Sequence, residues 1–522
     1  MTIELRFHGA AGAVTGSCME IGVAGRRLLI DCGLFQGSRS LEALNYEELP
    51  FDPAAIDLVL LTHAHLDHSG RLPVLMRQGY EGQLWCTPAT GQLLAPLLMD
   101  AAKLQAADAE RRNERPDRAG MAPFAPLYDF DDVAQLVSRV HSLVPGKWAE
   151  PLPGIAVRFW DARHILGAVS IELRADGQSL LFSGDIGIDA ALPGGPETPE
   201  GGWDHLVCEA TYGDRDREAM PVDARREALA RVAEDTIKRG GNLIIPSFAL
   251  QRTQVLIEDL AALFDSKRLG NIQVYIDAPL ADRVTRVYRR FDTQPKKGGS
   301  PFDHPQVHFT RSVAESRALN RMSGVIILAG AGMCSGGRVR YHLARNLPRA
   351  ESTILFVGYQ ARGTLGAVLR GGARAVRISG TDISVRAEVA VIDAYSAHAD
   401  RKALLTWLTA RSPCRGSLFL DHGEAPALTR LARDAAILPG HGSVIIPKLG
   451  EAFALDARTP ARRIAEARPD ADALAGEDWH NRAAALRASF DNRLATLPDS
   501  AARDAMLAAL ERTLAVGNAR AA

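Results

Sequence analysis

The sequence has few cysteines, and they do not lie close together. Six cysteines are scattered over 522 residues without a CxxC pair, which argues against a disulfide scaffold and against a cysteine zinc site. No run of the sequence approaches the roughly 18 apolar residues that a membrane span needs. The first segment, MTIELRFHGAAGAVTGS, has neither the basic region nor the long apolar region of a signal peptide. We therefore expect a cytoplasmic protein with no membrane span.

An excess of charge of one sign is also lacking. The chain has 61 lysines and arginines against 62 aspartates and glutamates, which gives a net charge of −1. A surface that binds a polyanion must therefore come from a local arrangement of basic residues and not from overall charge. What the sequence does have is length and 47% apolar residues, which is enough for two or three domains with separate cores.

Three kinds of apolar pattern follow one another along the chain. In residues 1–211, short apolar runs between glycine-rich turns predict β-strands, with one helix from Ala89 to about Ala107. In residues 212–377, strands and helices alternate, which is typical of a parallel sheet with helices on both faces. Strand-like runs return in residues 378–455, and residues 456–522 favour helices. We therefore expect an α/β fold in which 212–377 is a domain inserted between 1–211 and 378–455, with 456–522 as a helical C-terminal extension.

The strongest local signal is the segment HAHLDH, which follows the apolar run IDLVLLT. It provides four potential metal ligands within six residues, namely His63, His65, Asp67 and His68. Neither a strand face nor a helix stripe gives this spacing, whereas a loop at a strand end can wrap such side chains around metal ions. Imidazoles and a carboxylate suit zinc. The alternative is a polar loop that happens to be rich in histidine.

Two zinc ions would need more ligands than this loop supplies, and three other predicted strands end in suitable side chains. His164 follows VRFWDAR, Asp185 ends SLLFSGD and His422 follows SLFLD. Each position is where the chain leaves a predicted strand, so all of them can meet at one edge of a β-sandwich. Taken singly, each is compatible with an ordinary polar residue. The set together with HAHLDH predicts a dinuclear site.

HAHLDHSG, with LLIDCG upstream and the two downstream donors, resembles the metallo-β-lactamase superfamily. The resemblance implies an αββα sandwich, in which two sheets pack together between outer helices, and two zinc ions. Their ligands would be His63, His65 and His164 for the first ion and Asp67, His68 and His422 for the second, with Asp185 as the bridge. Asp31 of LLIDCG would then lie behind the ligands and orient the ligand loop.

The margins of the inserted segment narrow the resemblance. Glu209 in CEATYGDR, His398 in YSAHAD and His422 in LFLDHGE are similar to the motifs of the β-CASP branch of this superfamily. That branch consists of nucleic-acid nucleases and includes the cleavage-and-polyadenylation endonuclease and its bacterial and archaeal relatives. A histidine at the last motif resembles the RNA-processing members, whereas DNA-repair members usually have valine there. The resemblance covers about residues 1–455, and it implies RNA, mainly single-stranded, as the substrate and a homodimer as the assembly.

A glycine-rich turn in the inserted segment is the predicted contact for the substrate. GMCSGGR connects the apolar run GVIILA to the helical segment RVRYHLARNL, so its backbone N–H groups can approach a phosphate at a helix N-terminus. We expect substrate contacts from Ser335, Gly336, Gly337, Arg338 and Arg362. Two alternatives stay open at this point: the turn serves packing, and the arginines form a solvated helix face.

The mechanism implied by the resemblance is hydrolysis of RNA phosphodiester bonds by a metal-activated hydroxide. It leaves 5′-phosphate and 3′-hydroxyl ends, and the departing 3′-oxygen needs a proton. His398 is the expected acid because it is not needed as a ligand, and Glu209 would hydrogen-bond its imidazole and fix the tautomer. We expect Asp67 to take part in catalysis as well as in metal binding.

Three other functions compete with this interpretation. The first is hydrolysis of a small thioester or lactam on the same metal core, which the large insertion and His398 disfavour. The second is a non-catalytic RNA-binding subunit, which the complete ligand set disfavours. The third is a DNA-directed nuclease of the same superfamily, which His422 disfavours.

Overall fold

The structure is a computed structural model that describes most of the chain. The described residues are 2–118, 120–187, 195–217, 220–291, 299–358, 360, 364–474, 486–487, 489–491, 493–494 and 496–520. Within these residues no helix combines the length and the apolar character that crossing a membrane requires.

The strands, in chain order, are β1 (Ile3–Phe7), β2 (Met19–Val23), β3 (Arg26–Ile30), β4 (Leu58–Leu60), β5 (Gln83–Cys86), β6 (Val140–Ser142), β7 (Trp148–Leu152), β8 (Ile155–Asp161), β9 (Val169–Ala175), β10 (Gln178–Phe182), β11 (Trp203–Glu209), β12 (Leu243–Pro246), β13 (Gln273–Asp277), β14 (Val307–Phe309), β15 (Val325–Ala329), β16 (Thr353–Phe356), β17 (Ala375–Ile378), β18 (Thr381–Ser384), β19 (Glu388–Val391), β20 (Cys414–Asp421), β21 (His441–Ile445), β22 (Ala452–Leu455) and β23 (Arg462–Ala465).

The α-helices span Arg39–Ala43, Leu66–Ser69, Leu72–Arg77, Pro88–Asn113, Phe130–Ser138, Val222–Lys238, Arg252–Asp265, Pro279–Phe291, Val313–Ala318, Val339–Asn346, Leu365–Arg370, Arg401–Thr409, Ala425–Ala435, Ala471–Leu474 and Ser500–Arg520. Short 3-10 helices span Leu44–Tyr46, Pro53–Ala55, Pro116–Arg118, Pro301–Asp303, Leu319–Arg321 and Asp393–Tyr395.

Two large sheets pack face to face and form the first core. The eight-stranded sheet has the order β23-β22-β1-β2-β3-β4-β5-β6, and the seven-stranded sheet has the order β21-β20-β11-β10-β9-β8-β7. Strand β8 shows how the sequence specifies this packing: its alternate residues Ile155, Val157 and Phe159 are fully buried, because successive side chains of a strand point to opposite faces. They share one apolar cluster with Ile21 and Phe453 of the other sheet.

Helices cover the outer faces of this sandwich. Leu98 of helix Pro88–Asn113 packs in one cluster with Val59 and Leu84 of the first sheet. On the second sheet, Trp407 of helix Arg401–Thr409 packs in one cluster with Leu418 of β20. The layers are therefore helix, sheet, sheet, helix, and the expected αββα sandwich is confirmed.

A parallel sheet of six strands forms the inserted domain, with the order β14-β13-β15-β12-β16-β19. Leu243 and Ile245 of its strand β12 face one apolar cluster, and Ile244 between them faces another. Helices bury both faces, which explains why β12 is apolar throughout and does not alternate. The α/β insertion is therefore also confirmed.

Two strands lie in other sheets than the sequence suggested. The sequence pattern places AEVAVID in the segment after residue 377, yet β19 within it pairs in parallel with β16 of the inserted sheet. Strand β23 lies within the expected helical extension and pairs with β22 of the first sheet. Local alternation specifies a strand but not its partner, so we propose that the inserted domain ends near residue 391 and the helical extension begins near residue 471.

Candidate active site

The loop HAHLDH and three other strand ends converge at one edge of the sandwich. His63 follows β4, His164 follows β8, Asp185 follows β10 and His422 follows β20. Strands β10, β11 and β20 run parallel to one another, so their carboxyl ends open on the same edge. The two sheets of the sandwich therefore bring together side chains that lie up to 359 positions apart in the sequence, from His63 to His422.

The first group of potential ligands consists of His63, His65, His164 and Asp185. Nε2 of His63 lies 3.1 Å from Nδ1 of His65, and Nε2 of His164 lies 3.3 Å from the same Nδ1. Oδ2 of Asp185 lies 3.5 Å from Nε2 of His63 and 3.4 Å from Nε2 of His164. Three ring nitrogens and one carboxylate oxygen thus face a common point.

The second group consists of Asp67, His68 and His422, and the other oxygen of Asp185 faces it. Nε2 of His68 lies 3.2 Å from Nε2 of His422 and 3.2 Å from Oδ1 of Asp185. Oδ2 of Asp67 lies 3.8 Å from Nε2 of His422. Asp185 therefore presents one oxygen to each group, as a bridging ligand would.

Two properties of these residues fit metal cations. Both carboxylate oxygens of Asp185 are buried, and among the described residues neither has a hydrogen-bond partner. An unpartnered buried charge is costly unless a cation or a hydrogen bond compensates it. In addition, burial lowers the pKa of His63 and His164, and it lowers the pKa of His65 to about 4. The imidazoles of the first group are therefore neutral, which is the form that binds metal. In the second group the nearby carboxylates outweigh burial and raise the pKa of His68, and they raise that of His422 to about 9, so these two rings must lose a proton when they bind metal.

Asp31 lies behind the ligand loop. Its Oδ2 lies 2.7 Å from Nδ1 of His68, and its Oδ1 accepts the backbone N–H of Thr62 at 2.8 Å and the Thr62 hydroxyl at 3.0 Å. The carboxylate thus fixes the ring of His68 with Nε2 directed at the second group, which is the usual task of a carboxylate behind a metal ligand.

His398 and Glu209 form a pair beside the first group. Nδ1 of His398 lies 3.3 Å from both carboxylate oxygens of Glu209, and Nε2 lies 3.8 Å from Oδ2 of Asp185. Glu209 is buried and also accepts the backbone N–H groups of Ile186 and Thr211. Burial alone would lower the pKa of His398, but the carboxylates of Glu209 and Asp185 outweigh it and raise the pKa above its ordinary value. The imidazole can therefore hold a proton at this position.

Not all of the residues predicted to contact the substrate are available for it, because Arg338 binds a carboxylate of the protein. Ser335 is exposed and Gly336 faces open space, but Nη1 of Arg338 forms an ion pair with Asp277 at 2.6 Å. Asp277 is fully buried and lies 2.6 Å from Nε2 of His342 as well. The guanidinium of Arg338 therefore neutralises a carboxylate of its own chain. Arg362 lies outside the described residues.

Arg252 is a candidate that the sequence reasoning missed. It begins the helix Arg252–Asp265 after β12, and its Nε is buried without a hydrogen-bond partner among the described residues. The segment IIPSFALQRTQ contains it, and the position between a parallel strand and its helix was the available signal. No local feature of the sequence indicates whether a given arginine of the domain has a carboxylate partner.

Three family models match consecutive parts of the chain. The metallo-beta-lactamase superfamily model matches residues 11–211, the Beta-Casp domain model matches residues 253–369, and the model described as the Zn-dependent metallo-hydrolase RNA specificity domain matches residues 382–447. The first covers the ligand loop, and the second covers four of the six strands of the parallel sheet, β13 to β16.

Characterised relatives match over most of their length. The chain is 35% identical to Ribonuclease TTHA0252 of Thermus thermophilus over 440 residues, which are 82% of this chain and 95% of that protein. It is 30% identical to the Transcription termination factor FttA of Methanosarcina mazei over 450 residues, 81% of this chain and 67% of that protein. A crystal structure of a protein of unknown function from Enterococcus faecalis V583 shares the fold at a TM-score of 0.50 and 14% identity, covering 87% of this chain and 100% of that one. The chain therefore belongs to the β-CASP nucleases of the metallo-β-lactamase superfamily, which are metal-dependent hydrolases.

Proposed function

We propose that this chain is a two-zinc ribonuclease that hydrolyses phosphodiester bonds of single-stranded RNA. The observation that carries the proposal is the pair of His398 and Glu209 directly beside Asp185, because it combines a proton donor with a carboxylate shared by two ligand groups. RNA as substrate is supported by the RNA specificity model over residues 382–447 and by the name of the relative from Thermus thermophilus.

Two zinc ions fit the donor set of nitrogen and carboxylate ligands. We propose His63, His65 and His164 for the first ion and Asp67, His68 and His422 for the second, with Asp185 shared. When bound, the ions supply Lewis acidity, which makes water a nucleophile near neutral pH and offsets the charge of the phosphate. Asp31 keeps His68 oriented, as its short contact with Nδ1 of His68 supports.

His398 supplies the proton in this proposal. Cleavage that expels the 3′-oxygen of RNA leaves an alkoxide, which must be protonated as the bond breaks. Nδ1 of His398 contacts the carboxylate of Glu209, so Nε2 is the nitrogen that faces the reacting phosphate. Glu209 stabilises the protonated ring and is itself held by two backbone N–H groups. The products carry 5′-phosphate and 3′-hydroxyl ends.

The substrate contacts belong to the same proposal. The backbone of Ser335, Gly336 and Gly337 is the surface that we expect to approach RNA phosphates, and Arg362 is expected to add a positive charge. Arg338 contributes mainly by keeping the turn in place, because its guanidinium is paired with Asp277.

A homodimer in the cytoplasm completes the proposal. The helical extension has exposed leucines, with Leu486 at 69%, Leu507 at 38% and Leu510 at 40% exposure, and apolar side chains of this kind are covered in subunit interfaces. The sequence predicts that Leu486 is buried against the body of the chain or against a partner subunit, and its exposure in the single chain favours the partner. Light scattering of the purified protein should give twice the chain mass.

Incubation with labelled nucleic acid tests the function. Purified protein is mixed with an RNA of mixed sequence, labelled at the 5′ end or internally, and with DNA of the same sequence. The proposal predicts cleavage of RNA that a chelator abolishes and zinc restores. Cleavage of DNA at the same or a higher rate would assign the chain to DNA, and binding of RNA without cleavage would make it a binding subunit.

A further inference from the structure

The loops at the carboxyl end of the parallel sheet meet beside strand β12. β12 lies between β15 and β16 in the six-stranded sheet, and the loops that follow these three strands contain Phe248, Gly332 and Gly358. A Cβ atom on Gly332 would lie 2.6 Å from the ring of Phe248, and one on Gly358 would lie 2.4 Å from Nη1 of Arg252. Only glycine leaves room for these contacts. The carboxyl edge of a parallel sheet is also where α/β domains bind ligands.

Arg252 has no counter-charge among the described residues of these loops. Its Nε is shielded from solvent and has no acceptor among the described residues, and burial lowers the pKa of its guanidinium, with only Tyr212 acting to raise it. Two other arginines of the inserted domain differ, since Arg225 lies 2.7 Å from Asp259 and Arg338 lies 2.6 Å from Asp277. A partly buried, unpaired cation is unfavourable for folding. An unpaired guanidinium of this kind can instead bind an anionic ligand.

The backbone before Arg252 is held in an uncommon turn. Gln251 has φ 68° and ψ −61°, and the N–H of Arg252 donates to the carbonyl of Leu250 at 2.9 Å. This is a γ-turn with positive φ, a strained form. The hydroxyl of Tyr288 donates to the side chain of Gln251 at 2.6 Å and helps to hold it. Strain of this kind tends to occur where the orientation of a side chain matters.

Arg252 lies close to the active site in the packing of the chain. Leu250, two residues before Arg252, packs in one apolar cluster with Ala64 of the ligand loop and with Ile165, which follows His164. Arg252 therefore lies on the side of the inserted domain that faces the cleft with the ligand groups.

We propose that Arg252 and Phe248 form a nucleotide subsite, in which the guanidinium binds an RNA phosphate other than the scissile one and the ring stacks on a base. Phe248 is 37% exposed, and the guanidinium carbon of Arg252 lies 5.2 Å from its ring centre. Arginine recognises phosphate with paired N–H donors, and aromatic rings stack on bases of any identity. The subsite rests on the proposed ribonuclease function. It would let the enzyme bind the RNA strand without recognising a particular base sequence.

The variant Arg252→Met tests the phosphate contact, because it removes the charge and keeps much of the side-chain length. The KM for RNA should rise about 10- to 100-fold. The slope of log KM against log salt concentration should flatten by about 0.7, the value for one phosphate contact on a single strand. Metal content should equal that of the wild type, and the melting temperature should be equal or higher, since an unpaired cation is gone. Arg231→Met is the matched control, because Arg231 lies on an exposed helix face with 68% of its side chain accessible.

Two further variants test the subsite without a substitution at residue 252. Gly358→Ala should displace the guanidinium and raise KM, and Phe248→Leu should raise KM at least about five-fold through lost stacking. If the wild type cleaves RNA and Arg252→Met shows the same KM and salt slope, the subsite is refuted and the ribonuclease function stands. A lower melting temperature with wild-type KM would make Arg252 a structural residue and refute the subsite as well. If the wild type neither binds nor cleaves RNA, the ribonuclease function fails and the subsite fails with it.

Discussion

The His398→Ala variant removes the imidazole that connects Glu209 with the metal-ligand groups. The seven proposed ligands are all kept, because His398 is not one of them and its Nε2 lies 3.8 Å from Oδ2 of Asp185. Glu209 keeps the backbone N–H groups of Ile186 and Thr211 as donors, so its buried carboxylate is not left without partners. We therefore expect the variant to fold and to bind metal as the wild type does.

Turnover by His398→Ala should fall strongly. A positioned acid contributes about 10²- to 10⁴-fold, which corresponds to about 2.7 to 5.4 kcal/mol of the activation barrier. Glu209 holds the ring of His398 with Nε2 turned toward Asp185, so we expect a loss within this range. The KM for RNA should change little, because the lost interaction acts on the departing oxygen in the transition state.

An RNA with a 3′-bridging sulfur at the cleavage site provides the sharper assay. A thiolate departs without protonation, so His398→Ala should regain most of the wild-type rate on this substrate. Single-turnover rates on both substrates and zinc content by mass spectrometry complete the comparison. Loss of zinc would make His398 a ligand and question the assignment of His422. Full activity with full zinc content would refute the pair of Glu209 and His398.

Three other variants test neighbouring parts of the account. Glu209→Gln should lower kcat about ten-fold or more. Removal of the Glu209 charge also lowers the pKa of His398. In a pH profile of kcat, the decrease on the alkaline side should therefore begin at a lower pH than in the wild type. Asp185→Asn should release metal from both ligand groups, since each faces one Asp185 oxygen; retention of two ions per chain would contradict the shared position. Arg338→Ala should lower the free energy of unfolding by about 1 to 3 kcal/mol, because Asp277 loses an ion pair in a buried setting, and denaturant titration would contradict this if stability were unchanged.

The ligand groups could be predicted from the sequence for a simple reason. HAHLDH provides four donors within six residues, and each remaining donor follows an apolar strand. Because β8, β10 and β20 end on the same edge of one sheet, the strand ends bring their side chains together without any further information. The fold class could also be predicted, because alternating apolar runs indicate the sandwich and continuous apolar runs indicate the parallel sheet.

Contacts that depend on a distant partner could not be predicted. The alternation in AEVAVID is compatible with either sheet, and only the packing of the whole domain pairs β19 with β16. Likewise, the charge of Arg338 is used by Asp277, 61 positions earlier, while Arg252 has no such partner among the described residues. Which arginine is free for a substrate is a property of the folded surroundings. Trp479, expected in a tail helix, lies outside the described residues.

The most direct test of the central claim is an end-group analysis of RNA cleaved by the zinc-loaded wild type. The account predicts products with 5′-phosphate and 3′-hydroxyl ends, formed only while the ligand groups hold metal. A ligase that joins 5′-phosphate to 3′-hydroxyl ends should therefore accept the products directly. Products with 2′,3′-cyclic phosphate or 3′-phosphate ends, or cleavage that persists after complete removal of metal, would contradict it.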